Sequence, residues 1–190
     1  MKRLSLSIAD FYVKRNIIQV DKKEMYQYGI ELLLNEFITF SIILLSAIMI
    51  WKIKYAFEFL TVFCLTRIYC GGYHASKVQI CRATMFMVFA SVYWLARIMI
   101  NLNSLVLYLL LVVSFVLTTC LIPVKHPNKE LSVIQIKKNR KLGLLLYLLF
   151  GIVSAILTTF GSKNDGLVIG LSLCAVTVLA IIGKFTNERR

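Results

Sequence analysis

The sequence predicts an all-α, polytopic integral membrane protein with about six transmembrane or membrane-embedded helices and an amphipathic N-terminal segment. Three observations carry this expectation. The 190 residues are 59% hydrophobic with a mean hydropathy of +0.78, more apolar surface than a soluble core of this length can hide. The apolar residues come in blocks that approach the ~20 needed to cross a bilayer. The net charge is +13, and the basic residues fall between those blocks instead of along one soluble face. That placement points to anionic membrane lipids and an acidic peptide as partners, and away from nucleic acid.

The elements follow in order. "MKRLSLSIADFYVKRN" opens with basic residues, but Asp10 and Lys14 interrupt the apolar core a signal peptide needs. Residues 1–28 are therefore expected as a basic, amphipathic segment lying on the membrane. Six spans are expected at 29–51, 55–70, 83–100, 104–124, 142–160 and 167–183. The fourth, "SLVLYLLLVVSFVLTTCLIPV", carries no charge. The second is short and holds Glu58 and Arg67, so it is expected to be tilted, re-entrant or enclosed by the bundle. Residues 125–141, "KHPNKELSVIQIKKNRK", read as a basic loop. With no internal repeat and no Gly/Ser-rich linker, residues 1–190 read as a single domain.

Charge then orients the spans. Seventeen Lys and Arg residues fall in the N-terminal segment, the connection around residues 71–82, the basic loop and the C-terminal "KFTNERR". Three, Lys52, Lys54 and Lys163, fall in the alternate connections, and Arg67 and Arg97 lie within spans. Both termini and the 65–82 segment are thus expected on the cytoplasmic side of the cell membrane. Charges inside spans need partners. Depth alone pairs Glu58 with Arg97 and Glu36 with Arg67.

The chemistry concentrates in "LTRIYCGGYHASKVQIC", residues 65–81. A cysteine acts as a nucleophile through its thiolate, which a free thiol of pKa near ~8.5 supplies sparingly at neutral pH. A histidine can take the proton, and nearby positive charge can hold the anion. His74 and Cys81 are seven residues apart, with Lys77 and Arg82 beside them. On one continuous helix they would share a face but stand ~10 Å apart along the axis. The expected geometry is therefore a span ending near Cys70, a turn at Gly71–Gly72, His74 on the turn and Cys81 early in the next helix. A helix N-terminus there would further favour a thiolate. On residue chemistry alone, a solvated histidine and an inert cysteine remain the commoner reading of such a segment. Cys64, Cys120 and Cys174 fall within spans, where cysteine behaves as a small hydrophobe. No disulfide framework, metal site or cofactor is expected, and His126 in the basic loop reads as solvated.

The pattern R-x-x-x-G-G-x-H-x-x-x-x-x-x-C, here Arg67, Gly71, Gly72, His74 and Cys81, resembles the signature of the accessory gene regulator B (AgrB) family. Those proteins are membrane cysteine endopeptidases of Gram-positive quorum sensing. The chain length, the basic N-terminus and the proline followed by a lysine-rich run are similar as well. The resemblance implies that His74 and Cys81 are the catalytic pair and that the substrate is an AgrD-like propeptide with an acidic tail. It implies cleavage through a Cys81 thioester and release of a cyclic thiolactone or lactone autoinducing peptide intermediate. It also makes a homodimer an expectation. Arg67, Gly71, Gly72 and Lys77 are expected to support catalysis, and backbone N–H groups near Cys81, Lys77 or Arg67 are candidate oxyanion donors. Gln79, Asn35 and Glu36 are candidates for a third catalytic group. Two other classes stay open on the residues alone: a small peptide exporter or transporter without covalent chemistry, and a membrane scaffold in which the Gly-Gly turn is incidental.

Overall fold

The computed structural model describes residues 2–72, 78–124 and 132–187. Every regular element among them is helical. After α1 (Lys2–Lys14) and a 3₁₀ turn (Val20–Lys22) come α2 (Lys23–Met49), α3 (Ile53–Cys70), α4 (Val78–Met99), α5 (Ser104–Leu121), α6 (Val133–Phe160) and α7 (Lys163–Asn187). The chain divides into two compact units, Met1–Ser46 and Ala47–Arg190.

The first unit holds α1 and most of α2. An ion pair of 2.5 Å between Lys23 and Asp10 ties α1 to the start of α2. The helix is amphipathic as expected: Leu4, Leu6 and Phe11 are exposed apolar side chains on an element that begins Lys2-Arg3. Residues 23–28, expected in the surface segment, are the first turns of α2.

In the second unit α7 is the central helix and packs against α3, α4, α5 and α6. Its sequence explains why. Leu167, Val168, Ile169, Leu171, Leu173, Val176, Leu179 and Ala180 are buried, so apolar residues lie all round the helix. The apolar stretch of α7 is 72% buried, against 22% for α2, α4, α5 and α6. Those four each keep an apolar face outward. On α5 it is Leu105, Leu109, Val112 and Val116, at helical spacing.

Five helices are long and apolar enough to cross a membrane: α2, α4, α5, α6 and α7. The second expected span, α3, is a helix of 18 residues that carries Lys54, Glu58 and Arg67, and it packs on α7 and α6. It packs on the bundle along one face, with Phe59, Phe63 and Thr66 buried, while Phe57, Leu65 and Ile68 stay exposed, so the bundle does not enclose it. Helices α3 to α7 alternate in direction. Lys54 on α3 meets Asp165 on α7 at one end. At the other end the Val124 amide donates to the Cys70 carbonyl at 3.0 Å.

Two kinds of small or polar residue fix this packing. Gly166 and Gly170 let α7 cross α6 closely. A Cβ at Gly166 would stand 2.7 Å from the Ser154 carbonyl oxygen, and one at Gly170 would stand 2.7 Å from the Ser154 Oγ. Ser154 in turn donates to the Gly166 carbonyl at 2.7 Å. The sequence reading overlooked this G-x-x-x-G, and the chain uses it between its own helices. Further along, the Tyr147 hydroxyl donates to Ser114 at 2.7 Å and lies 3.0 Å from the Thr177 hydroxyl, which is 2.8 Å from that of Thr118. These side chains are buried, and together they join α5, α6 and α7, giving the Tyr147 hydroxyl partners in an apolar surround.

Two expectations change. Residues 133–141, expected within the basic loop, form the first turns of α6. Ser132 and Gln135 make a reciprocal capping box there, satisfying amides that would otherwise be orphaned. Glu58 pairs with Lys54, one turn before it at 3.7 Å, and not with Arg97, which forms no ion pair among the described residues. Depth had placed Glu58 and Arg97 together, but Lys54 already lies on the same helix face at the i,i+4 spacing and also reaches Asp165. Glu36 lies in the first unit and Arg67 in the second.

Candidate active site

Helix α3 ends at Cys70 because the chain there leaves helical geometry. Gly71 has φ of 74° and Gly72 a φ of 148°, both in the region that side chains resist. The Gly71 amide still closes the last turn on the Arg67 carbonyl at 2.9 Å. Gly71 is required for a second reason: a Cβ on it would stand 2.7 Å from the Val124 carbonyl oxygen. Gly72 runs against α7, where a Cβ would meet the Leu179 carbonyl oxygen at 3.5 Å.

Helix α4 resumes at Val78, which places Cys81 in its first turn, half-buried. The break expected at Gly71–Gly72 is present, and Cys81 lies early in the next helix, as expected. His74 and Lys77 lie outside the described residues, as does His126. Arg82 is half-buried beside Cys81. Gln79 is exposed.

Arg67 lies one turn before the glycines, half-buried, with its guanidinium 5.3 Å from the centre of the Phe63 ring. Phe63 is itself fully buried and stacked on Phe59 at 5.0 Å, and Phe59 meets Phe89 of α4 at 5.4 Å. The middles of α3 and α4 are thus joined by aromatic rings, with Arg67 one turn further along α3.

Cys70, which the sequence left without a role, is fully buried. It faces α6 at Gly143, where a Cβ would stand 3.1 Å from the Cys70 Sγ and 3.3 Å from the Ile122 Cδ1. This meeting of the glycine turn, the end of α5 and the basic start of α6 has no local sequence signal. The basic residues Lys137, Lys138, Arg140 and Lys141 occupy the two turns of α6 that lead to Gly143. Arg140 donates to the Thr119 carbonyl at 3.0 Å, tying that stretch to the last turn of α5.

Two clefts among the described residues lie away from this turn. One of about 310 Å³ is apolar and lies between α5 and α6, lined by Tyr108, Phe115, Tyr147 and Gly151 among others. The other, about 300 Å³, lies at the opposite end of the unit beside Trp51, Lys54, Tyr55 and Asp165. Among the described residues, no three His, Cys, Asp or Glu side chains gather as metal ligands.

The fold defines a class: a helical protein with several helices long and apolar enough to cross a membrane, in which a glycine break separates α3 from the helix that carries Cys81. The family model of accessory gene regulator B matches residues 5–182. The chain belongs to that family, which ties it to the processing of quorum-sensing peptides and to AgrD propeptides. No curated protein and no solved structure matches it.

Proposed function

We propose that the chain is a membrane cysteine endopeptidase that removes the acidic tail of an AgrD-type propeptide and closes the remaining peptide into a ring. The observation that carries this reading is the position of Cys81: half-buried in the first turn of α4, across a glycine break from α3, in a member of this family.

In this mechanism His74 takes the proton of Cys81, and the sulfur attacks the carbonyl carbon at the junction with the tail. The C–N bond breaks, His74 returns the proton to the leaving amine, and the peptide is left as a thioester on Cys81. A thiol or hydroxyl of the peptide then gives its proton to His74 and attacks the thioester, which frees the Cys81 thiol and leaves a thiolactone or lactone. Hydrolysis of the thioester is strongly downhill, whereas exchange between acyl sulfurs is nearly balanced. The ring therefore forms only if position favours the internal nucleophile, through effective molarities on the order of 10⁵ M or more. Lys77, Arg67 and backbone amides near Cys81 are the oxyanion donors in this account.

The helix directions support the orientation. The termini of α3 to α7 that carry Arg82 and the basic stretch of α6 lie at one end of the unit. Lys52, Lys54 and Lys163 lie at the other. The richer end is cytoplasmic by the distribution of Lys and Arg, and it attracts both anionic lipid and the acidic tail. The protein acts as a single enzyme domain, and as a homodimer.

The alternative is a peptide exporter without covalent chemistry, for which the charged group Lys54, Glu58 and Asp165 is the supporting observation. Tail release from the propeptide by wild-type protein, Cys81→Ser and His74→Ala, each correctly inserted, separates the two. Endopeptidase activity predicts release by wild type alone. Equal release by all three would end the proposal.

A further inference from the structure

We propose that the apolar cleft between α5 and α6 holds one acyl chain of an anionic phospholipid whose headgroup rests on Lys163. The site is separate from the Cys81 segment and does not depend on the endopeptidase reading.

The cleft has a floor, a rim and two unlike ends. Its floor is small: Gly151, whose Cβ would meet nothing within 4 Å, and Ala155 one turn on. Leu148, Ile152 and Val112 also line it, and they stay exposed around the glycine. A flexible chain can pass between these side chains, where a helix backbone would meet them first. Both α5 and α6 are long and apolar enough to cross a membrane, so the cleft opens on the faces that meet hydrocarbon.

Polarity rises along the cleft in the order of a lipid. At one end stand the rings of Phe115 and Tyr147, 5.8 Å apart, and Tyr147 commits its hydroxyl to Ser114 and Thr177 inside the bundle. Toward the other end, the hydroxyls of Tyr108 and Thr159 meet at 2.7 Å, a polar neck suited to an ester. One turn beyond, the Lys163 ammonium donates to the Leu102 carbonyl at 2.7 Å. An ammonium has three donors, so that bond leaves two for a phosphate.

Charge and length agree with this occupant. Neither α5 nor α6 contains an Asp or Glu, and Asp165 on α7 is buried and paired with Lys54. The mouth of the cleft is therefore cationic. Along α6 the rise from Tyr147 to Thr159 is ~18 Å, close to the ~15 Å hydrocarbon depth of one leaflet.

Thermal unfolding of the full-length protein in a mild detergent, with palmitoyl-oleoyl phosphatidylglycerol added, tests the site. A ligand of the folded state at about a hundredfold over its dissociation constant raises the midpoint by roughly 5–10 °C for a chain of this size. We expect such a rise in wild type and a smaller one with phosphatidylcholine of the same chains. Glycerol phosphate, which carries the anion without the chain, should give none. Gly151→Leu fills the floor and should remove most of the phosphatidylglycerol rise. Lys163→Gln keeps the cleft and should bring the phosphatidylglycerol rise down to the phosphatidylcholine value. If Gly151→Leu fails to accumulate, Lys163→Gln decides the matter. Its control is Lys52→Gln, which should keep the wild-type response because that ammonium lies over the Tyr55 ring, outside this cleft.

A phosphatidylglycerol rise that both variants leave unchanged puts the lipid elsewhere and overturns the proposal. So does a wild-type rise that phosphatidylcholine equals, or no rise at all. A midpoint that climbs with protein concentration and ignores lipid would seat a second copy in the cleft, and would overturn it too.

Discussion

Gly166→Ala tests the packing that holds the bundle together. A Cβ at this position would lie 2.7 Å from both the Ser154 carbonyl oxygen and the Thr158 amide nitrogen, where ordinary contact between heavy atoms begins at roughly 3.5 Å. Both neighbours are backbone, so no rotamer change relieves the overlap. Helices α6 and α7 must separate by more than half an ångström along their contact, an order-of-magnitude figure from that contact distance. The Ser154 hydrogen bond to the Gly166 carbonyl stretches with them. Overpacking of this kind costs ~1–3 kcal/mol, against a gain of about 1 kcal/mol in helix propensity. Because the clash is with backbone, the cost lies in the upper half of that range, and the net loss of ~1–2 kcal/mol would lower the thermal midpoint by roughly 2–8 °C for a chain of this size. The assay is thermal unfolding in one detergent, with Gly151→Ala as the matched control. A Gly166→Ala midpoint at or above wild type would refute the close crossing.

Three further outcomes follow from the same contacts. Lys54→Met should destabilise the protein more than the double variant Lys54→Met/Asp165→Asn, because the single change leaves the buried Asp165 carboxylate unpaired; thermal unfolding of the two variants checks the order. Arg97→Met should be mild in the same assay, since Glu58 takes its partner from its own helix. Tyr147→Phe should cost ~1–2 kcal/mol by leaving the Ser114 and Thr177 hydroxyls short of a partner, with tail release retained in the folded fraction.

The alternation of apolar blocks and basic connections was enough to place six long helices, because membrane crossing constrains length and charge so tightly. The break at Gly71–Gly72 and the location of Cys81 in the first turn of α4 were also legible, since only glycines suit such a turn. Contacts between distant residues were not. Nothing near Gly143 in sequence indicates that Cys70 fills its missing side chain. Glu58 was paired by depth, which ignores the nearer lysine one turn away on the same face. The basic residues 137–141 read as a loop because charge was taken to end the helix, whereas charged residues extend a helix readily once it leaves the apolar layer. The Ser132–Gln135 capping box was present in the sequence and marks that earlier start.

The central claim is the covalent role of Cys81, and mass spectrometry of the protein after brief incubation with its propeptide tests it most directly. The account predicts a peptide adduct on Cys81 that hydroxylamine removes, free acidic tail in solution, and neither in Cys81→Ala. A folded wild-type protein that releases no tail and carries no adduct would contradict it, and the segment from Gly71 to Cys81 would then be a turn between helices.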